Sequence, residues 1–128
     1  SPWAKIPVYE ASQYDLLIEM SKKSFSTAIS EEEFLHLIEK LEAKLISDGV
    51  PLTATNKITI KGESKITKDK IYKTLEDVCK NYGSTLDVKE RIVIPYDIKE
   101  TVSREQSISL VLSLYKELLE ELEGEMAI

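Results

Sequence analysis

The chain has 128 residues, 42% of them hydrophobic and 31% charged, with a net charge of −6. That length suits one domain with one core. The acidic balance argues against a general nucleic-acid binder or a membrane-surface protein. Arg91 and Arg104 are the only arginines, so the usual reader of phosphates and guanine edges is scarce. Cys79 is the only cysteine, which excludes an internal disulfide and a Cys-based metal site and fits a reducing, cytoplasmic setting. No apolar run reaches the roughly 18 residues of a spanning helix, so a soluble protein with no membrane partner is expected. The chain opens on Ser rather than Met, so it is expected to be processed or to be part of a longer protein.

Residues 1–11, S-P-W-A-K-I-P-V-Y-E-A, hold two prolines and read as an extended N-terminal arm. Trp3, Ile6, Val8 and Tyr9 need cover, either from their own domain or from a partner. A first helix is expected from Ser12, a plausible cap, to about Lys23, with Tyr14, Leu17 and Ile18 inward. Phe25 and Ile29 pin the connection that follows.

The clearest helix runs from Ser30 to Asp48. Ser30 and Glu33 have capping-box spacing, and Glu31, Glu32 and Glu33 sit at the positive end of the helix dipole. Phe34, Leu37, Ile38, Leu41 and Leu45 share one face, which Leu35 and Ile46 widen. Gly49 suits the left-handed closing position, and Pro51 prevents continuation.

After Gly49 the pattern alternates: Val50, Leu52 and Ala54, then Ile58 and Ile60, with Thr55-Asn56-Lys57 as the turn between them. This predicts a hairpin. Thr67 opens another helix, with Ile71, Leu75, Val78 and Tyr82 inward, Cys79 beside them and Gly83 closing it. Leu86 and Val88, then Ile92 and Ile94, alternate again up to Pro95 and predict a second hairpin. A shift of 34 residues superposes Leu41 on Leu75, Glu42 on Glu76, Gly49 on Gly83, Leu52 on Leu86, Ile58 on Ile92 and Ile60 on Ile94. A duplicated helix–hairpin unit would explain this. The last segment carries two signals. Residues 107–115, S-I-S-L-V-L-S-L-Y, alternate like a strand. Ser103 and Gln106, however, form a capping box, and Ile108, Val111, Tyr115, Leu118 and Leu122 step by three and four. Leu118, Leu119 and Leu122 favour one long C-terminal helix.

The expected fold is therefore α+β, with helices packed on one face of a mostly antiparallel sheet. The order helix–hairpin–helix–hairpin–helix, with Asp48-Gly49 closing a helix, resembles the LAGLIDADG homing endonucleases in element order and that dipeptide. The second unit has Tyr82-Gly83 and lacks the metal-binding acid, so no nuclease activity follows.

Chemistry-bearing residues are sparse. His36 is the only histidine; Glu32 and Glu39 flank it by about one turn, a metal-like pairing without further ligands, and an exposed helix histidine is the plainer reading. Cys79 reads as core filler rather than an activated nucleophile. Glu42 and Glu76 are conceivable as an acid–base pair. No phosphate loop, nucleophile elbow or zinc spacing is present. No catalytic, cofactor or metal residues are assigned. Two binding readings are carried instead. The first is a non-catalytic protein-interaction or assembly module that pairs with a protein or a second copy through Ile108, Val111, Tyr115, Leu118 and Leu122. The second is a nucleic-acid-binding domain using Lys57, Lys61, Lys65, Lys68, Lys70 and Lys73. Glu63 and Asp69 offset two of these, leaving +4 across 17 residues.

Overall fold

The computed structural model describes residues 1–17, 25–55, 58, 62–63, 65–93 and 100–126, the last two by their backbone only. It is mostly helical: a 3-10 turn (Pro2–Ala4) leads into α1 (Lys5–Gln13), followed by α2 (Glu31–Ser47), α3 (Lys68–Asn81), a one-turn α4 (Val88–Arg91) and α5 (Arg104–Met126).

The expected antiparallel sheet is absent among the described residues, where only two isolated bridges occur, Ala28 with Ser103 and Thr67 with Thr101. The α+β assignment, the duplicated helix–hairpin unit and the endonuclease-like element order are corrected accordingly. The physical reason lies in how the helices are connected. The amide of Ile29 donates to the carbonyl of Val102 (2.9 Å), that of Ile66 to Ile29 (3.3 Å) and that of Lys68 to Glu100 (2.9 Å). The starts of α2, α3 and α5 are thereby tied together. Further along, the Tyr115 hydroxyl donates to the carboxylate of Asp48 at the end of α2. The Ser84 hydroxyl, just past α3, donates to Glu121 (3.0 Å). The three helices thus run in one direction. A 17-residue helix is roughly 25 Å long, so the chain must return that distance before starting the next parallel helix. Residues 49–66 and 83–103 connect these helices, and their described residues form no strand.

The first return shows this directly. Val50 is buried, but Leu52, Thr53, Ala54 and Thr55 are exposed. The amides of Thr53 and Ala54 both donate to the Asn81 carbonyl (2.7 and 3.1 Å), closing the last turn of α3 instead of pairing with a strand. In the second return, Asp87 caps α4 through the Glu90 amide. Val88 and Ile92, four residues apart, are buried together on one helical face. Ile60, Ile94, Pro95 and, of the expected turn Thr55-Asn56-Lys57, Asn56 and Lys57 lie outside the described residues.

The N-terminal segment also differs from expectation. Residues 2–13 are helical, where an extended arm was expected with a helix starting only at Ser12. Pro2 and Pro7 fall in the first turns of the 3-10 and α segments. The amides there have no helical acceptor, so proline removes nothing. The helix ends in a Schellman motif: Leu16 donates to Ala11 (2.8 Å) and Asp15 to Ser12 (3.3 Å), with Asp15 left-handed at φ 57°. Residues 18–23 of the expected first helix lie outside the described residues.

α2 has the expected capping box, with the Ser30 hydroxyl accepting from the Glu33 amide (3.1 Å) and the Glu33 carboxylate accepting from the Ser30 amide (3.0 Å). Its face of Phe34, Leu37, Ile38, Leu41 and Leu45 is buried, while Ile46 is exposed and does not widen it. α3 has Thr67 as its cap and buries Ile71, Leu75, Val78 and Cys79. α5 starts on a second capping box, in which Ser103 and Gln106 exchange hydrogen bonds (3.0 and 3.1 Å).

α5 is the centre of the molecule and packs against α1, α2 and α3. From Ser107 to Leu112 every residue is buried, and Leu114, Tyr115 and Leu118 follow. A helix covered on all sides needs no single apolar face. This explains why residues 107–115 show strand-like alternation while forming helix. Ser107 and Ser109 are small enough for neighbouring helices to approach closely, and the Ser107 hydroxyl is satisfied by the Ser103 carbonyl (2.9 Å). Among the described residues no helix is long and apolar enough to cross a membrane.

Candidate functional site

The residues expected to form a partner interface on α5 are internal. Ile108, Val111, Tyr115 and Leu118 are buried, and Leu122 is half-buried against the same core. The Tyr115 ring also meets the Tyr14 ring of the α1 end, with centroids 5.3 Å apart. Burial and the Asp48 carboxylate that accepts its hydroxyl push the Tyr115 phenol well above its ordinary range. The stripe that suggested a paired helix is covered by α1, α2 and α3, so it offers a second copy no free face. The sequence pattern was right about an apolar helix but could not show that three neighbours surround it.

The lysines fare differently. Lys57 and Lys61 lie outside the described residues. Lys65, Lys68 and Lys73 are exposed and Lys70 is half-buried. At 100° per residue, Lys70 and Lys73 share the outer face of α3, whereas Lys68 lies well round the helix from them. The outer face also carries Asp69, Glu76 and Asp77. Lys73 is bound to Asp77 (2.8 Å), an exposed pair spaced four apart. The outer face of α3 is therefore of mixed sign rather than a single-sign track.

Candidate chemistry does not converge. His36, Glu32 and Glu39 are exposed on α2, and among the described residues no three His, Cys, Asp or Glu side chains gather as a metal set. Burial, with the nearby charges of Glu121 and Glu76, pushes the Cys79 thiol up to about 12, where the reactive thiolate is disfavoured. Burial also raises the Glu42 carboxyl, helped by Glu39. The charge of Glu76 acts on Cys79 and that of Glu42 on Tyr82, and the Tyr82 hydroxyl donates to the Glu42 backbone carbonyl (3.4 Å).

A surface feature does stand out at the start of α1. Ala4, Val8 and Ala11, spaced by four and three, turn inward, and the two alanines are buried. The small inward residues let α1 lie close to α5. The large apolar side chains then fall on the outer side: Ile6 is 73% exposed and Tyr9 66%. Phe25, from the segment leading into α2, is 39% exposed nearby. Pro2, Lys5, Val8, Tyr9, Phe25 and Glu105 line an open groove of about 520 Å³. That volume is in the range of roughly 300–1,000 Å³ typical of binding sites. Glu105 is held by the fold, since its amide donates to the Phe25 carbonyl (2.8 Å), which joins the two walls. The groove is mostly apolar, with the charged side chains of Lys5 and Glu105 on its wall. Ile6 and Tyr9 were visible in the sequence as apolar residues needing cover, whereas Phe25 read only as a pin. The missed signal is the Ala4-Val8-Ala11 spacing, which assigns the small residues to the core and the large ones to the surface.

A second, smaller cleft lies between α4 and α5, lined by Leu86, Arg91, Glu117, Glu120 and Glu121. Arg91 pairs with Glu117 there (3.4 Å), so the cleft is an acidic surface partly neutralised by one arginine. The chain matches no protein-family model, no characterised protein and no solved structure.

Proposed function

We propose that this chain is a non-catalytic protein-interaction module whose binding surface is the outer side of α1 together with the Phe25 wall. The observation that supports this is the inverted arrangement of α1, with its alanines buried, Ile6 exposed and Tyr9 on the wall of an apolar groove. Exposed aromatic and aliphatic side chains around a concave apolar surface are the usual anchors of a protein interface. The α1 residues belong to a helix fixed by the buried α5, so the surface is held in shape before binding, which lowers the entropic cost of association. The dispersed placement of the chemical residues gives an enzymatic reading nothing to build on. The mixed-sign outer face of α3 likewise gives no support to a nucleic-acid track.

The test is affinity capture from an extract of the source cells with the wild-type chain and with the Ile6→Glu/Tyr9→Glu variant. A protein retained by the wild type and lost by a stably folded variant is the expected result. Identical retention by both, or retention lost only with Leu52→Glu on the far return segment, would overturn the assignment of the surface to α1. Sedimentation of the purified chain up to millimolar concentration separates a second copy from a different partner. A particle that stays at 14.5 kDa excludes self-pairing.

A further inference from the structure

We draw no further inference here: the strongest candidate, the apolar groove between the start of α1 and Phe25, belongs to the surface already proposed for partner binding, and nothing in the structure shows what covers it.

Discussion

Replacing Glu33 with glutamine tests the ion pair that joins the starts of α2 and α5. The Arg104 guanidinium donates to Glu33 from Nε (2.9 Å) and from its terminal nitrogen (3.0 Å), a two-pronged contact that also reaches the Thr27 hydroxyl. Only 14% of the Glu33 side chain and 8% of the Arg104 side chain is exposed. Burial pushes the Glu33 carboxyl up, but the hydrogen bonds from Arg104 and from the Ser30 amide and hydroxyl outweigh it and hold the group at about 2. From an ordinary value near 4.5, that difference corresponds to about 3 kcal/mol of stability. The sign follows from the depressed value: the contribution is present above about pH 4.5 and is lost as pH falls towards 2. The Glu33→Gln variant would keep the capping acceptor but leave Arg104 without its counter-charge, a change that costs about 3–5 kcal/mol when a buried pair is broken. Urea unfolding of both proteins between pH 7 and pH 3 measures it. The wild type is expected to exceed the variant by about 3 kcal/mol at pH 7, and the gap should shrink as pH falls. A gap that stays constant with pH, or one below about 1 kcal/mol at pH 7, would refute the assigned role of the pair.

Three further expectations follow from the packing and one from the lysines. Leu41→Ala and Leu75→Ala remove fully buried side chains, and each should cost about 2–5 kcal/mol in urea unfolding; a loss below about 1 kcal/mol would place that residue on the wrong face. Asp15→Gly should raise stability by about 0.5–1 kcal/mol by relieving a left-handed non-glycine residue, since the Lys40 contact it gives up is long (3.5 Å) and exposed; no gain would mean that the Asp side chain itself favours the turn. Gly83→Ala should destabilise more than Gly49→Ala, because both are left-handed but only at Gly83 would the new Cβ meet Thr53 Oγ1 at 3.1 Å; equal losses in thermal melts would remove the Thr53 contact from the explanation. A gel shift with DNA and with RNA at low salt should show no binding; a salt-sensitive complex that Lys65→Glu/Lys68→Glu weakens would restore the nucleic-acid reading.

The helices whose two ends are written in local chemistry were legible from the sequence. α2 and α3 show their caps at Ser30 and Thr67, their apolar faces at three- and four-residue spacing and their glycine stops. The start of α5 was legible for the same reason, through Ser103 and Gln106. Features set by tertiary surroundings were not. Residues 50–55 and 86–92 alternate in sequence, yet 51–55 are all exposed and 88–91 form a helical turn; alternation alone does not specify a paired strand. Pro7 marked an extended arm only until its place in a first turn was known. The exposure of Ile6 and Tyr9 depends on which side of α1 meets α5, and the two alanines that decide it carry little hydropathy. The stripe expected to meet a partner on α5 is buried for the opposite reason: from Ser107 to Leu112 every residue of the helix is covered, and a segment buried all round has no outer face to read.

α5 lies inside and the large residues of α1 lie outside, and equilibrium urea unfolding of Leu118→Glu beside Ile6→Glu tests that most directly. Leu118 is 2% exposed, and an unpaired carboxylate there should remove several kcal/mol of a total near 5–15 kcal/mol, unfolding the chain or nearly so. Ile6→Glu should unfold within about 0.5 kcal/mol of wild type, as exposed substitutions do. A stable Leu118→Glu monomer together with a collapsed Ile6→Glu variant would exchange the two surfaces and contradict the account.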